Sequence, residues 1–196
     1  MGALEVFWHE RTLPSLIRAA LAHAQFETIH PFIDGNGRMG RLLITFMLCS
    51  EGVLRQPLLY LSHHLKAHRD RYYGLLQAVR EEGRWEDWLE FFLLGVREVA
   101  GEAAQTATAI VAMREDHLRL LARERRSAGQ LVHLLDVLFR QPVVTVAYIQ
   151  ERMDIRYPAA NALVARLMDL SLLKESTGHR RNRRFVYEPY VNLFGE

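Results

Sequence analysis

The sequence predicts a mostly α-helical protein with a small α+β region near its C-terminal end. Two observations predict this fold class. Apolar residues recur at helical spacing through most of the chain, whereas Leu172 to Thr177 and Arg183 to Tyr187 have the composition of two short strands on either side of Gly178. The chain has 196 residues, of which 49% are hydrophobic, so it can form one large domain or two small ones.

The predicted helices end at glycines, at prolines or where the apolar pattern changes. They cover Leu13 to Ile29, Gly37 to Glu51, Ser62 to Glu82, Trp85 to Val99, Glu102 to Arg125, Leu131 to Phe139, Thr145 to Met153 and Tyr157 to Leu170. The second of these helices is apolar nearly all round, which predicts a buried central helix. In the fourth helix, Trp88, Leu89, Phe92 and Leu93 are predicted to face the core.

The most informative segment runs from His30 to Arg41 and has the sequence HPFIDGNGRMGR. Gly35 and Gly37 lack a Cβ, so backbone N–H groups can close on an anion there. The apolar run from Leu42 predicts that a helix starts near Gly37, which places the positive end of its dipole at the same point. The segment therefore predicts a binding site for a polyphosphate.

The charged side chains of the segment suit a nucleotide polyphosphate. Arg38 and Arg41 are three residues apart, would share one helix face and offer forked donors to phosphate oxygens. Asp34 is the only acid, and Mg²⁺ typically combines one or two carboxylates with substrate phosphate oxygens and water. His30 can accept a proton near neutral pH. Each residue alone could be a helix cap or a solvated group, but their convergence favours the phosphate site.

Three other patterns are weaker. Residues 35–40 fit the dinucleotide fingerprint GxGxxG, but helical spacing rather than a strand precedes them. The triplet at 68–70 copies a kinase catalytic motif, although Leu75 stands where the second-metal asparagine belongs. His64 and His68 could face a metal together, but no third ligand accompanies them, so a solvated helix face is favoured.

Residues 30–41 resemble the signature of the Fic family at every position that carries chemistry. The resemblance implies transfer of AMP from ATP to a Tyr, Thr or Ser hydroxyl of a target protein, with Mg²⁺ as cofactor. It implies that His30 deprotonates the hydroxyl and that Asp34 holds Mg²⁺ on the phosphates. The remaining implied contacts are the anion hole for the α-phosphate, formed by Gly35, Asn36 and Gly37, and the cations on the β and γ phosphates, Arg38 and Arg41.

The resemblance also implies a contact to the nucleotide base. In Fic proteins a tyrosine of a downstream helix commonly contacts the adenine, and Tyr72 matches that position. Tyr72 and Tyr73 could instead belong to an aromatic stripe that packs in the core. Arg80 lies where some relatives place an asparagine.

The C-terminal part has the element order of a winged helix-turn-helix domain, which is three helices followed by a basic hairpin. The stretch from Thr177 to Tyr190 resembles the C-terminal domain of many bacterial Fic proteins. The sequence therefore predicts a Fic-type catalytic domain over 1–126, ending in a long linker helix, and a winged domain over 127–196. Candidate nucleic-acid contacts on the hairpin are Arg180, Arg181, Arg183 and Arg184. The alternative is that this domain mediates dimerisation, giving a homodimer, or docking of the target.

The segment before the motif helix predicts a Fic core that is short at its N-terminus. Fic enzymes normally have two or more helices there and a hairpin flap that aligns the target, and residues 1–12 are too few to supply it. Two function classes stay open. One is a protein adenylyltransferase; the other is a DNA- or protein-binding regulator whose Fic core is a nucleotide-binding scaffold, or an inactive fragment that lacks the flap.

The composition predicts a cytoplasmic protein. Cys49 is the single cysteine, so no internal disulfide can form. The apolar runs are too short to cross a bilayer, and the N-terminus lacks a basic segment followed by an apolar core. We expect no membrane among its partners.

Overall fold

The computed structural model describes residues 1–55, 60–124, 127–179 and 181–194, and these are mostly helical, which confirms the predicted fold class. The helices are α1 Gly2–His9, α2 Ser15–Ile29, α3 Asn36–Ser50, α4 Leu61–Ala67, α5 Arg69–Glu82, α6 Trp85–Ala122, α7 Ala128–Arg140, α8 Val146–Met153, α9 Tyr157–Asp169 and α10 Glu188–Val191. The strands are β1 Val143–Val144, β2 Lys174–Glu175 and β3 Phe185–Val186, and a 3-10 turn covers Asn192–Phe194. Within the described part of the chain, no helix is both long and apolar enough to cross a membrane.

The chain divides into two compact units, residues 1–104 and 105–196. The division falls inside α6. The predicted boundary between a Fic-type domain and a winged domain, at 126/127, stays a prediction, and residues 125 and 126 lie outside the described part of the chain.

The core of the first unit lies among the apolar faces of α2, α3, α5 and the start of α6. Trp88 and Phe92 are fully buried, as the helical spacing predicts. The indole N–H of Trp88 donates to the backbone oxygen of Ala20 at 2.9 Å, which satisfies the polar end of the ring. Burial of each such side chain stabilises the fold by about 1.5–3 kcal/mol.

The division of the chain into helices differs from the sequence prediction at two places in residues 61–122. The predicted helix from Ser62 to Glu82 is two helices, with a break at His68. The Nδ1 of His68 lies 3.0 Å from the backbone oxygen of His64, so its side chain competes with the backbone for a carbonyl. Conversely, α6 continues through Gly101 as one helix, because a glycine among good helix formers weakens a helix by only about 1 kcal/mol.

The helix α3 is not buried on all sides, which corrects the prediction of a buried central helix. Met39, Leu42 and Phe46 are 45%, 42% and 57% exposed and share one face by their spacing. The helix α1 was not predicted either, because its eight residues are too few for a clear period. In that helix Leu4 and the partly buried Phe7 pack in a small cluster with Phe26 of α2.

The second unit has a helical core beneath a small sheet. The sheet is antiparallel with the order β1-β3-β2, in which Val144 pairs with Phe185 and Lys174 pairs with Val186. The sequence predicted β2 and β3 but not β1, because two residues carry no periodic signal. The core side chains come mainly from α7, α8 and α9 and include Leu134, Leu138, Ile149, Leu163 and Leu167.

Candidate phosphate-binding site

His30 ends α2 in a left-handed conformation. Its φ and ψ are 50° and 57°, and its backbone N–H donates to the oxygen of Phe26 at 3.0 Å. Histidine adopts this region more readily than a β-branched residue does. The side chain is exposed and lines a cavity of about 270 Å³, so the imidazole is accessible to a ligand.

Asn36 closes the loop between α2 and α3. Its Oδ1 accepts from the backbone N–H of Phe32 at 2.8 Å, and its Nδ2 donates to the backbone oxygen of Phe32 at 2.6 Å. The side chain is 2% exposed. Both ends of the amide are therefore engaged within the protein, and Asn36 sets the shape of the loop with its side chain.

The start of α3 leaves backbone donors open to an anion. The residue at the helix cap is Gly35, with φ 83°, a conformation that favours glycine. It has no side chain to accept from the N–H groups of the first turn, which lack partners within a helix. Those N–H groups and the helix dipole together favour a negatively charged ligand.

The charged side chains surround this helix start. An oxygen of Asp34 lies 3.6 Å from the nearer Arg38 nitrogen, and the two side chains are 94% and 78% exposed. Arg38 folds back to within 3.5 Å of the point where a Cβ would stand on Gly35, and Arg41 comes within 3.2 Å of the corresponding point on Gly37. Both arginines therefore lie over the two glycines at the N-terminal end of α3.

Asp34 suits a magnesium ion that is held mainly by phosphate oxygens. Its Oδ1 accepts from the N–H of Gly35 at 2.6 Å, and its other oxygen is exposed near Arg38. Among the residues that the structure describes, no group of three or more His, Cys, Asp or Glu side chains could hold a metal. A single carboxylate is enough for Mg²⁺ when the nucleotide supplies further oxygens.

The predicted base contact, Tyr72, lies inside the core. Its side chain is 2% exposed, and its hydroxyl is 2.9 Å from Nε2 of His23. Burial raises the pKa of Tyr72, so the phenol stays neutral. Its neighbour Tyr73 is 50% exposed and lines the same cavity as His30, together with Gln77 and Arg80.

Two buried polar residues of α2, His23 and Glu27, were missed from the sequence. Burial lowers the pKa of His23 to about 4, an effect that the backbone of Gly40 partly offsets. Burial likewise raises the pKa of Glu27. The sequence does contain a pattern that points to them, because two polar residues four positions apart interrupt the alanine-rich face that α2 buries.

The basic residues of the second unit line a separate cavity of about 620 Å³. Arg181, Arg183 and Arg184 contribute to it, while Arg180 lies outside the described residues. The guanidinium of Arg183 is 3.6 Å from a carboxylate oxygen of Glu175. In the part of the chain that is described, neither Arg181 nor Arg184 forms an ion pair, so two positive charges in this cavity are uncompensated.

Comparison with known proteins finds a family match for the N-terminal part of the chain. Residues 1–48 match the Fic/DOC family. A probable protein adenylyltransferase of Aquifex aeolicus is 33% identical over 76 residues, which are 39% of this chain and 24% of that protein. The protein adenylyltransferase Fic of Drosophila yakuba is 41% identical over 73 residues, 37% of this chain and 14% of that protein. This chain thus aligns with about a quarter or less of the length of these curated relatives.

The fold has a counterpart among solved structures. A Fic family protein from Desulfovibrio desulfuricans matches with a TM-score of 0.53 and 19% identity, over 94% of this chain and 53% of that one. At this identity the match concerns the fold. It agrees with the mostly helical architecture described above.

Proposed function

We propose that this protein transfers AMP from ATP to a hydroxyl group of a target protein. The observation that carries the proposal is the start of α3, where open backbone donors, two arginines and an exposed carboxylate surround two glycines. The Fic/DOC match of residues 1–48 and the adenylyltransferase names of the relatives support it.

In the proposed reaction, the target hydroxyl oxygen attacks the α-phosphorus while the bond from phosphorus to the bridging oxygen of pyrophosphate breaks. His30 accepts the hydroxyl proton, and pyrophosphate leaves with the electrons of the broken bond. General-base help of this kind typically contributes about 100- to 10,000-fold in rate. The N–H groups at 36–38 stabilise the negative charge that builds up on the α-phosphate oxygens.

Arg38 and Arg41 would neutralise the outer phosphates, which become the leaving pyrophosphate. Asp34 would hold Mg²⁺, which supplies further neutralisation of the phosphate charge when bound. The arginine side chains are suited to this task because a planar guanidinium pairs with two phosphate oxygens at once.

For the base, we propose Tyr73 rather than Tyr72 as the aromatic contact. Tyr73 is exposed in the cavity beside His30, whereas Tyr72 is enclosed by the core. Arg80 donates to the side-chain oxygen of Gln77 at 3.1 Å at the same cavity, so both residues can contact the base or the ribose.

Incubation with ATP labelled on its α-phosphate and a cell lysate tests the proposal. We expect labelled protein with the wild type and none with His30→Ala, while both proteins bind Mg·ATP with similar affinity. His63→Ala, which removes an exposed histidine of α4, is the matched control and should label normally. Equal labelling by the His30 variant would exclude His30 as the base. Nucleotide binding without any labelling would favour the alternative, a nucleotide-binding scaffold without transferase activity.

As a second candidate function, we propose that residues 127–196 form a winged helix-turn-helix domain that binds DNA through its phosphate backbone. The observation in its favour is the cavity with the uncompensated charges of Arg181 and Arg184. Two polar side chains of α9 that could otherwise read base edges, Arg166 and Asn161, are engaged within the protein. Arg166 forms a two-point ion pair with Glu124 at 2.7 and 2.8 Å, and Asn161 accepts from Arg183 at 3.4 Å. The binding should therefore be electrostatic and largely independent of sequence.

A mobility-shift titration at two salt concentrations tests this candidate. Arg181→Ala combined with Arg184→Ala should weaken binding and reduce the salt dependence, by about 0.9 in log–log slope for each phosphate that the variant no longer neutralises. Arg152→Ala, which removes an exposed arginine lying over Tyr148, is the control. No shift by the wild type at low salt would exclude DNA and favour docking of a protein.

A further inference from the structure

Glu27 is a mostly buried acidic residue that lies against α3 and also lines the cavity beside His30. It lies in α2, three residues before His30, and is 7% exposed. Carboxylates at this depth normally have a hydrogen-bonding or charged partner. Within the described residues, however, Oε1 of Glu27 accepts no hydrogen bond. A buried carboxylate oxygen without a hydrogen-bond donor needs an explanation beyond packing.

Two glycines of α3 make room for this carboxylate. Oε1 of Glu27 lies 2.5 Å from the point where a Cβ would stand on Gly40 and 3.9 Å from that point on Gly37. Any side chain at Gly40 would displace the carboxylate. The acid therefore lies against the first two turns of α3, the helix that carries Arg38 and Arg41.

Arg41 approaches the same glycine. Nη1 of Arg41 is 3.2 Å from the Cβ point on Gly37, and Oε1 of Glu27 is 3.9 Å from the same point. These two atoms can therefore be no farther apart than the two distances added together. They form no direct ion pair in the described structure, but their charges interact. Burial raises the pKa of the Glu27 carboxyl, and the nearby charges of His30, Arg41 and Arg80 partly oppose this by favouring its ionised form.

We propose that Glu27 is a positioning residue for Arg41: its carboxylate holds the guanidinium over Gly37, where it meets the outer phosphates of the nucleotide. The proposal rests on the function proposed above. A charge fixed by burial in α2 can define the position of a flexible arginine because it cannot itself move. In the absence of that charge, Arg41 would sample other rotamers, and ordering it on the phosphate would cost affinity.

The number of phosphates on the ligand distinguishes this role from a purely structural one. Arg41 is assigned to the outer phosphates, so a residue that acts through Arg41 matters for ATP and not for AMP. With Mg²⁺ present, we expect Glu27→Gln to weaken ATP binding by about tenfold, equivalent to about 1.4 kcal/mol, and to leave AMP binding within about twofold. Arg41→Ala should show the same selectivity, and the double variant should bind ATP no more weakly than Arg41→Ala alone.

Isothermal calorimetry with ATP and with AMP measures these affinities. Glu90→Gln makes the same charge change at a position of α6 outside the site and is the control. Glu27→Asp keeps the charge but shortens the side chain, and should also lose ATP affinity selectively. It keeps the test decisive if the Gln variant does not fold, which urea unfolding would reveal.

Equal losses for ATP and AMP would show that Glu27 only maintains the fold and would overturn the proposal. Unchanged or tighter ATP binding by Glu27→Gln would also overturn it, because the carboxylate would then act only as a repulsive charge near the phosphates. If the wild type binds neither nucleotide, the proposed function itself fails, and the proposal for Glu27 fails with it.

Discussion

Nε2 of His23 lies 2.9 Å from the hydroxyl of Tyr72 in the core of the first unit. This contact joins α2 to α5 within the core, and the ring of His23 also stacks on Trp88 with centroids 5.9 Å apart. The imidazole is fully buried. Its protonation state is therefore tied to the folding of the unit.

The burial of His23 predicts a loss of stability in mild acid. Its pKa is about 4 in the folded protein against 6.5 when unfolded, so the unfolded chain takes up the proton first as the pH falls. This contribution is complete above pH 6.5, and about 3 kcal/mol of it is lost by pH 4. Urea unfolding at about pH 7 and about pH 4.5 measures it. The raised pKa of Glu27 makes the folded form more stable as the pH falls, which opposes the effect of His23. The wild type is therefore compared with His23→Gln, whose glutamine side chain does not titrate. Identical pH dependence of the two proteins would contradict the prediction.

Gly40→Ala should destabilise the first unit by about 1–3 kcal/mol. The added Cβ would stand 2.5 Å from the Glu27 oxygen and 3.1 Å from the His23 ring, so one of these buried side chains must shift. Gly74→Ala is the control in the neighbouring α5, where nothing lies within 4 Å of the new Cβ. It should stabilise the helix by up to about 1 kcal/mol. Urea unfolding of both variants gives the comparison, and similar effects of the two substitutions would contradict close packing at Gly40.

Arg18→Ala should cost about 3–5 kcal/mol, because it leaves a partly buried acid without its partner. The Arg18 side chain is 3% exposed and binds Glu51 and the backbone oxygens of Trp8 and Glu10. In contrast, Arg84→Ala removes an exposed ion pair with Asp87 and should cost about 0–1 kcal/mol. Thermal and urea unfolding of the two variants should therefore differ clearly. A small effect at Arg18 would show that water replaces its contacts.

The two hydrogen bonds between the Asn36 side chain and the backbone of Phe32 predict an effect of Asn36 on both protein stability and Mg·ATP binding. Asn36→Ala removes the two hydrogen bonds to Phe32 and should destabilise the unit by about 1–3 kcal/mol. Because the loop then loses its fixed shape, Mg·ATP affinity should fall as well. Thr28→Ala removes a single side-chain bond to the backbone of α2 and is the control. Normal ATP binding by Asn36→Ala would show that the loop holds its shape without these two hydrogen bonds.

The sequence was most informative where a local pattern decides the structure. The glycines and arginines of 35–41 indicated a helix start, and α3 begins at Asn36. The spacing of Trp88 and Phe92 likewise identified a buried face. Such features need only the residues next to them in the chain.

Features that depend on tertiary contacts were not predictable in the same way. Nothing in the periodicity distinguishes Tyr72, which is buried, from Tyr73, which is exposed, because the difference depends on how α5 packs. The exposed face of α3 was hidden for the same reason. The sequence of α2 shows a polar residue at position 27 on an apolar face, but not its contact with Gly40, because only the folded chain brings the two helices together.

Binding of Mg·ATP measured by calorimetry tests the central claim, the phosphate site at residues 30–41, most directly. We expect the wild type to bind, and Arg38→Ala and Asp34→Ala to lose most of the affinity, because each removes a charge at the start of α3. Arg84→Ala, an exposed arginine paired with Asp87, should bind like the wild type. If the wild type, Asp34→Ala and Arg38→Ala bound Mg·ATP with equal affinity, the nucleotide would bind elsewhere and the proposed phosphate site would be wrong.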